Sequence, residues 1–291
     1  MILAALLLAS RFQLQSNFWV SLHQRLAHEA ATGRDLTATT SEDWKSALDV
    51  YRRRVARRDL FDPEVVAVLD ALSVTKGDTL PPKLPDDIRN ALAKAAPVYR
   101  KTQWAADDRA NRFAIATLEG ILHDSEEELI REHERVYGMK WPQHVRVDLS
   151  PFAGPVGGFT TGNTTLAHTT LSSLNPTYRC LQGLEMILHE SSHAVFDEEL
   201  VSNRAKYLGV PAPRDLWHAI LFYTSGEITK RVLATRGVTD YQPVGYTVGV
   251  YKRGEFPKYL PLLETIWHQH INGEIGSDEA IDAMVRQLTQ K

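Results

Sequence analysis

Apolar positions recur at intervals of three and four over residues 16–138, which predicts helices through the N-terminal half of the chain. Phe18, Leu22 and Leu26 share one helical face, and Trp44, Leu48, Tyr51 and Val55 share another. Start signals agree. Asp62-Pro63 joins an N-cap to a proline at the first helical position, and Ser125 with Glu128 forms a capping box that predicts a helix over 126–137. The pattern changes after Trp141-Pro142. Residues 145–149 alternate as a strand does, 154–158 are a loop, and threonine-rich 159–171 predicts two strand pieces around Gly162-Asn163. Helices resume over about 178–199, 215–235 and 260–270, and a last one is capped by Ser277. The expected class is α+β, predominantly helical. A helical region over 1–140 and a region over 141–291, with a small sheet and the later helices, are expected to form one compact unit.

Composition narrows the choices. The 291 residues carry 33 Lys+Arg against 36 Asp+Glu, a formal charge of −3, and 43% are hydrophobic. That is globular composition without the basic surplus of a nucleic-acid binder. Arg52-Arg53-Arg54 with Arg57-Arg58 reads as a solvated helix face, and the proline-rich stretch over 80–85 as a connector. The single cysteine, Cys180, permits no internal disulfide and leaves the compartment open. The apolar run from Met1 to Ala9 is shorter than the roughly 20 residues of a membrane helix. Two readings stand: a clipped signal peptide, which implies export to the periplasm or medium, and a buried first helix of a cytoplasmic protein. No other stretch is long and apolar enough to span a bilayer, so no stable membrane insertion is expected.

The chemistry concentrates in His189-Glu190-Ser191-Ser192-His193. On a helix, residues four apart differ by about 40° in direction and about 6 Å in height, so both imidazoles can reach one ion. Glu190 is turned about 100° from His189; it is poorly aimed at that ion and well aimed at a water beside it. Leu184, Ile187, Leu188 and Val195 fall on a different face, which turns the histidines out of the core and into a cleft.

This motif resembles that of the zincins, the zinc-dependent metallopeptidases. The resemblance implies one Zn²⁺ per chain on His189 and His193, Glu190 as the catalytic base, and a peptide or protein substrate. It also implies that the strand before the helix, here residues 164–171, receives substrate as an added strand. A catalytic zinc takes a third protein ligand. Residues 194–199 lack the later histidine of the metzincin branch, and the Gly-Thr and Asp pattern of the aspzincins is absent. Glu227, inside an apolar helical stretch, is then the leading third metal ligand, which makes the chain gluzincin-like with a later glutamate helix. It departs from the thermolysin-like pattern in lying 227 − 193 = 34 residues after His193 and in having Arg231 four positions on. His218 is the rival. It precedes Glu227 by nine residues, about 180° around a regular helix, so one helix cannot aim both at one ion. Its alternative role is a catalytic hydrogen-bond donor to a developing oxyanion. Asp197, Glu198 and Glu199 are further ligand options. Residues 17–26, the histidine motif and residues 222–227 together also resemble a group of bacterial proteins that brings no known substrate.

Weaker signals attach to Tyr223, on the face of Glu227; to Tyr246 and Tyr251, in a glycine-punctuated loop that reads either as a border of the cleft or as an ordinary connection; and to His168, on the expected edge strand. His23 reads as a satisfied core histidine. The favoured function is a zinc hydrolase of peptide bonds. The alternatives are a non-enzymatic helical binding or scaffold protein with a structural metal, and a zinc amidase or esterase acting on another substrate.

Overall fold

The first described element is a strand that ends where the three-and-four pattern begins, inside the region over 1–140 expected to be helical. The computed structural model describes residues 10–59, 62–75 and 79–290, and the apolar run at 1–9 lies outside them. In β1 (Phe12–Ser16) Phe12 and Leu14 alternate with Gln13 and Gln15, a period of two too short to stand out beside the long helical run. What makes it a strand is its partner: it pairs in parallel with β2 some 130 residues later.

Helices α1 (Phe18–Thr32), α2 (Glu42–Arg54), α3 (Pro63–Ser73), α4 (Asp86–Thr102) and α5 (Trp104–Tyr137) follow. The Asn17 side chain accepts from the amides of Trp19 and Val20 to open α1, and Asp62 accepts from Glu64 N to open α3 as the sequence predicts. The capping box at Ser125 is overruled. Ser125 lies inside the 34-residue α5, buried, and its hydroxyl donates to the Ile121 carbonyl at 2.7 Å. The next elements are β2 (His144–Ser150), β3 (Gly158–Gly162), β4 (Leu166–Ser172), α6 (Cys180–Ser192), α7 (Glu198–Tyr207) and α8 (Leu216–Ala234). A one-turn α9 (Val244–Thr247) precedes α10 (Phe256–Leu262), which runs through a π turn into α11 (His268–Ile271) before α12 (Ser277–Thr289). The chain is α+β and predominantly helical, with a four-stranded mixed sheet. The single helix expected over 178–199 is two, because the Asp197 side chain caps a new one by accepting from Glu199 N.

The strand order is β1-β2-β4-β3, with β3 alone antiparallel to its neighbour. The edge beside the histidine helix is therefore β3, and the stretch 164–171, expected at the rim, supplies the inner strand β4. Val145, Val147 and Leu149 of β2, with Ala167 and Leu171 of β4, enter the larger core, where they join Leu118 and Leu122 of α5, Leu184 and Leu188 of α6, and Ile220 of α8. This core draws on both sides of residue 140. A second cluster, around Leu22, Trp44, Tyr51 and Tyr99, holds α1, α2 and α4 together. Among the described residues no helix is long and apolar enough to cross a membrane.

Alternation sends Arg146, Asp148 and His168 to the other sheet face, where all are buried. Asp148 Oδ2 accepts from Arg146 Nε and from His168 Nε2, each at 2.7 Å, and Arg146 also donates to the carbonyls of Ser73 and Thr75. His168 is thus an interior partner of Asp148, away from any edge. Asp148→Ala would leave a guanidinium buried without its carboxylate, and we expect a loss of about 3–5 kcal/mol in unfolding free energy by urea titration. A loss below about 1 kcal/mol would contradict the role given to this carboxylate.

Candidate metal centre

Helix α6 is fixed by its apolar side. Leu184, Ile187 and Leu188 are fully buried in the larger core, so the residues between them turn toward β3 and α8. The helix ends at Ser192 and His193 is its C-cap, with backbone φ −60° and ψ −19°; its amide reaches back to Glu190 O at 3.2 Å. This keeps His193 in helical register with His189, and the two rings stand with centroids 5.1 Å apart.

The third member comes from the first turn of α8. Asp215, in left-handed conformation at φ 60°, starts that helix, and His218 is its third residue. The His218 ring lies 5.4 Å from that of His189 and 5.2 Å from that of His193. One ring nitrogen from each of the three lies within 4.8 Å of the others. Because α8 begins before His218 and runs unbroken past Glu227, the nine-residue separation puts the glutamate on the far side of the helix and about 13 Å along it. Among the described residues the metal-competent cluster contains His218 and does not contain Glu227. Phe222, one turn after His218, stacks on the His189 ring at 3.8 Å, and Trp217 stands edge-on to His193 at 5.4 Å.

The three imidazoles fit a cation better than they fit each other. Burial, reinforced by the neighbouring rings, holds His189 well below its ordinary 6.5; the same causes take His193 down to about 3, and burial takes His218 down to about 4. Each ring is therefore neutral at pH 7 with a lone pair to offer. His189 Nδ1 is buried without a hydrogen-bond partner. Among the described residues no carboxylate joins the cluster, although the charge of Asp215 partly opposes the effect of burial on His218.

Glu190 lies beside them in the same cleft, a cavity of about 700 Å³ that the three histidines also line. Its carboxyl is buried, and loss of solvation pushes it from the ordinary 4.5 up to about 8. Gly158 of β3 makes room for it: a Cβ there would lie 2.7 Å from Glu190 Oε1 and 2.9 Å from Leu171 Cδ2. Phe159 and Thr160 carry the edge strand along one wall, and Tyr178 adds to it, with its hydroxyl donating to Val156 O at 2.9 Å. The opposite wall is the segment from Val244 to Phe256, so the glycine-punctuated loop of Tyr246 and Tyr251, readable from the sequence as a border of the cleft or as an ordinary connection, does border it. It is pinned by Glu185, one turn before His189, whose carboxylate accepts from Tyr241 Oη at 2.6 Å and from Val244 N at 3.0 Å.

The remaining sequence candidates lie elsewhere. Glu227 is half-buried on α8, where its charge helps burial to raise the phenols of Tyr223 and Tyr246. Tyr223 Oη pairs with His268 Nδ1 at 3.0 Å and Tyr246 Oη donates to Glu264 at 2.9 Å, while the hydroxyl of Tyr251 is buried without a partner. Asp197 caps α7, with Glu198 and Glu199 exposed in its first turn. His23 pairs with Tyr51 Oη at 2.9 Å inside the smaller core, as expected of a satisfied core histidine.

Comparison with known protein families, with curated proteins and with solved structures finds no match to this chain. The site must be judged on its own chemistry. In the metal-free protein, Glu190 keeps its proton when folded up to about pH 8 and loses it near 4.5 when unfolded. The folded state therefore loses stability as pH rises through that window. We expect Glu190→Gln to unfold much like the parent at pH 4.5 and to be the more stable of the two at pH 9, measured by urea titration in chelator. An advantage independent of pH would refute the buried, protonated carboxyl.

Proposed function

We propose that the protein is a metal-dependent hydrolase of peptide bonds, with His189, His193 and His218 as the ligands of one zinc-class cation and Glu190 as the proton-transferring residue. The observation that carries this reading is the convergence of three neutral imidazoles, one buried and two half-buried, on one point of a cleft that also holds a buried carboxyl whose pKa is raised by burial alone. Three nitrogen donors at the side of a cavity are the donor set of a catalytic zinc, which keeps one position for water or substrate; a structural zinc is closed by four protein donors. Once bound, such a cation supplies Lewis acidity, which polarises a carbonyl and lowers the pKa of a water toward neutrality. The Glu190 carboxyl, protonated up to about pH 8 in the metal-free protein, would ionise beside a bound cation, and as a carboxylate it would take the proton of the attacking water and deliver it to the departing amine. The apolar rings of Phe222 and Trp217 keep bulk water from the imidazoles, which strengthens every charge interaction there.

The resemblance to zincins supports the role of the helix; the substrate strand it implies, over 164–171, is the inner β4, so in this reading substrate is received at β3 instead. The third donor in this reading is His218 instead of the glutamate of a gluzincin, and Glu227 has no ligand role. β3 is the edge strand of the sheet, and its buried residues Gly158, Phe159 and Thr160 line the cleft, which favours a peptide over other amides or esters, because a peptide backbone can pair with that edge.

The ligand set is checked by zinc content. His193→Ala and His218→Ala should each lose most of the metal by atomic emission, whereas Glu227→Gln should keep one zinc per chain; the reverse result for the last two would restore the glutamate as ligand. On a peptide library, Glu190→Gln should retain zinc and lose about 10²–10⁴-fold in hydrolysis. A fully active Glu190→Gln would remove this residue from the chemistry.

A further inference from the structure

The walls of the cleft are largely apolar, with Met186, Trp217, Phe222, Val248 and Phe256 among them, and among its described lining residues Arg253 is the single Lys or Arg. Its neighbours at the mouth differ from it in one respect. Glu255 pairs with Lys258, and Asp215 lies 3.5 Å from Arg214, so these rim charges are matched. Arg253 makes no ion pair with any described residue; one of its terminal nitrogens donates to the Val248 carbonyl at 2.7 Å. That bond orients the guanidinium and leaves the rest of its donor fork available.

Its position relative to the histidines follows from a tight turn. Phe256 N donates to Arg253 O at 3.1 Å, and Gly254 adopts the left-handed φ of +53° within that turn. Such a turn keeps its end Cα atoms within about 7 Å of each other. Phe256 at its far end reaches the His218 ring, edge to face at 6.0 Å. Arg253 therefore overhangs the cleft from the segment that touches the third histidine, and a few residues of extended peptide, at about 3.3 Å each, span the distance to the triad.

We propose that Arg253 is the anchor for a substrate carboxylate, so that the cleft takes short apolar peptides carrying a free carboxylate. A guanidinium presents a planar fork matched to a carboxylate, and Arg253, exposed at the mouth, is open to one that arrives at the end of an apolar peptide. The inference rests on the reading of this cleft as that of a peptide hydrolase. A peptide C-terminus and an Asp or Glu side chain offer the same group, and the two are told apart below.

The test measures calorimetric binding of N-acetylated Phe-Leu-Phe as free acid, as C-terminal amide, and as an amide with Asp in place of the last Phe. Full-length protein is used with and without one equivalent of zinc. The free acid should bind about 10- to 100-fold more tightly than the plain amide in both forms. Arg253→Gln should abolish the difference, and Arg253→Lys should restore part of it. If the Asp amide matches the free acid, the anchor reads side-chain carboxylates; if it matches the plain amide, the anchor reads the terminus. Equal binding of acid and plain amide by the parent, combined with no preference for the Asp amide, would overturn the assignment. So would a preference that survives Arg253→Gln, which would place the carboxylate on the metal. Failure of the metal reading shows separately, as absence of zinc uptake, and leaves the preference of the zinc-free protein intact.

Discussion

Two helices cross so that three imidazoles have mainly aromatic surface and one another for surroundings. His189 and His193 share a face of α6, and His218 meets them from the first turn of α8. Protonating any of them would put an unpaired charge into an apolar pocket beside two more rings, and the cost of that keeps all three neutral. The fold thus holds three lone pairs together, and that of His189 Nδ1 is buried with no hydrogen-bond partner. Such a group is expensive in a protein without a ligand, and it is the state a divalent cation requires.

The rest of the architecture holds that crossing in place. On one side of the sheet, β2 and β4 press their apolar residues into the core beneath α6. On the other, Asp148 ties Arg146 and His168 into a buried polar group that also grips the end of α3 through the Ser73 and Thr75 carbonyls. The sheet is therefore clamped from both faces, and its free edge β3 stands beside Glu190 with only a glycine between them. Across the cleft, Glu185 fastens the Tyr241–Val244 corner to the helix that carries two of the histidines. Two of the three histidines, Glu190 and both walls of the cleft are consequently positioned by the single helix α6.

The two carboxyls on that helix show how environment separates like groups. Glu185 and Glu190 are both buried, but Glu185 accepts bonds from a phenol and a backbone amide and is pushed up only to about 7, while Glu190, with burial alone acting on it, goes to about 8. One is occupied with holding a loop. The other is unengaged in the cleft, which is the condition for moving a proton.

The His189 to His193 spacing, the burial face of α6, the helix at Pro63 and the predominantly helical α+β class were legible in the sequence. Each depends on contacts within a few residues, where periodicity and side-chain capping act directly. Elements whose state is set by distant partners were not legible. β1 is a strand because β2 waits for it, Ser125 lies inside a helix because α5 packs through that point, and β3 takes the edge because β4 pairs with β2. The third histidine of the cluster is the same case. Sequence spacing showed that His218 and Glu227 exclude each other on one helix, but not which of them faces α6. That choice was made by where α8 begins and how it crosses its neighbour, a relation between surfaces far apart in the chain that local pattern does not encode.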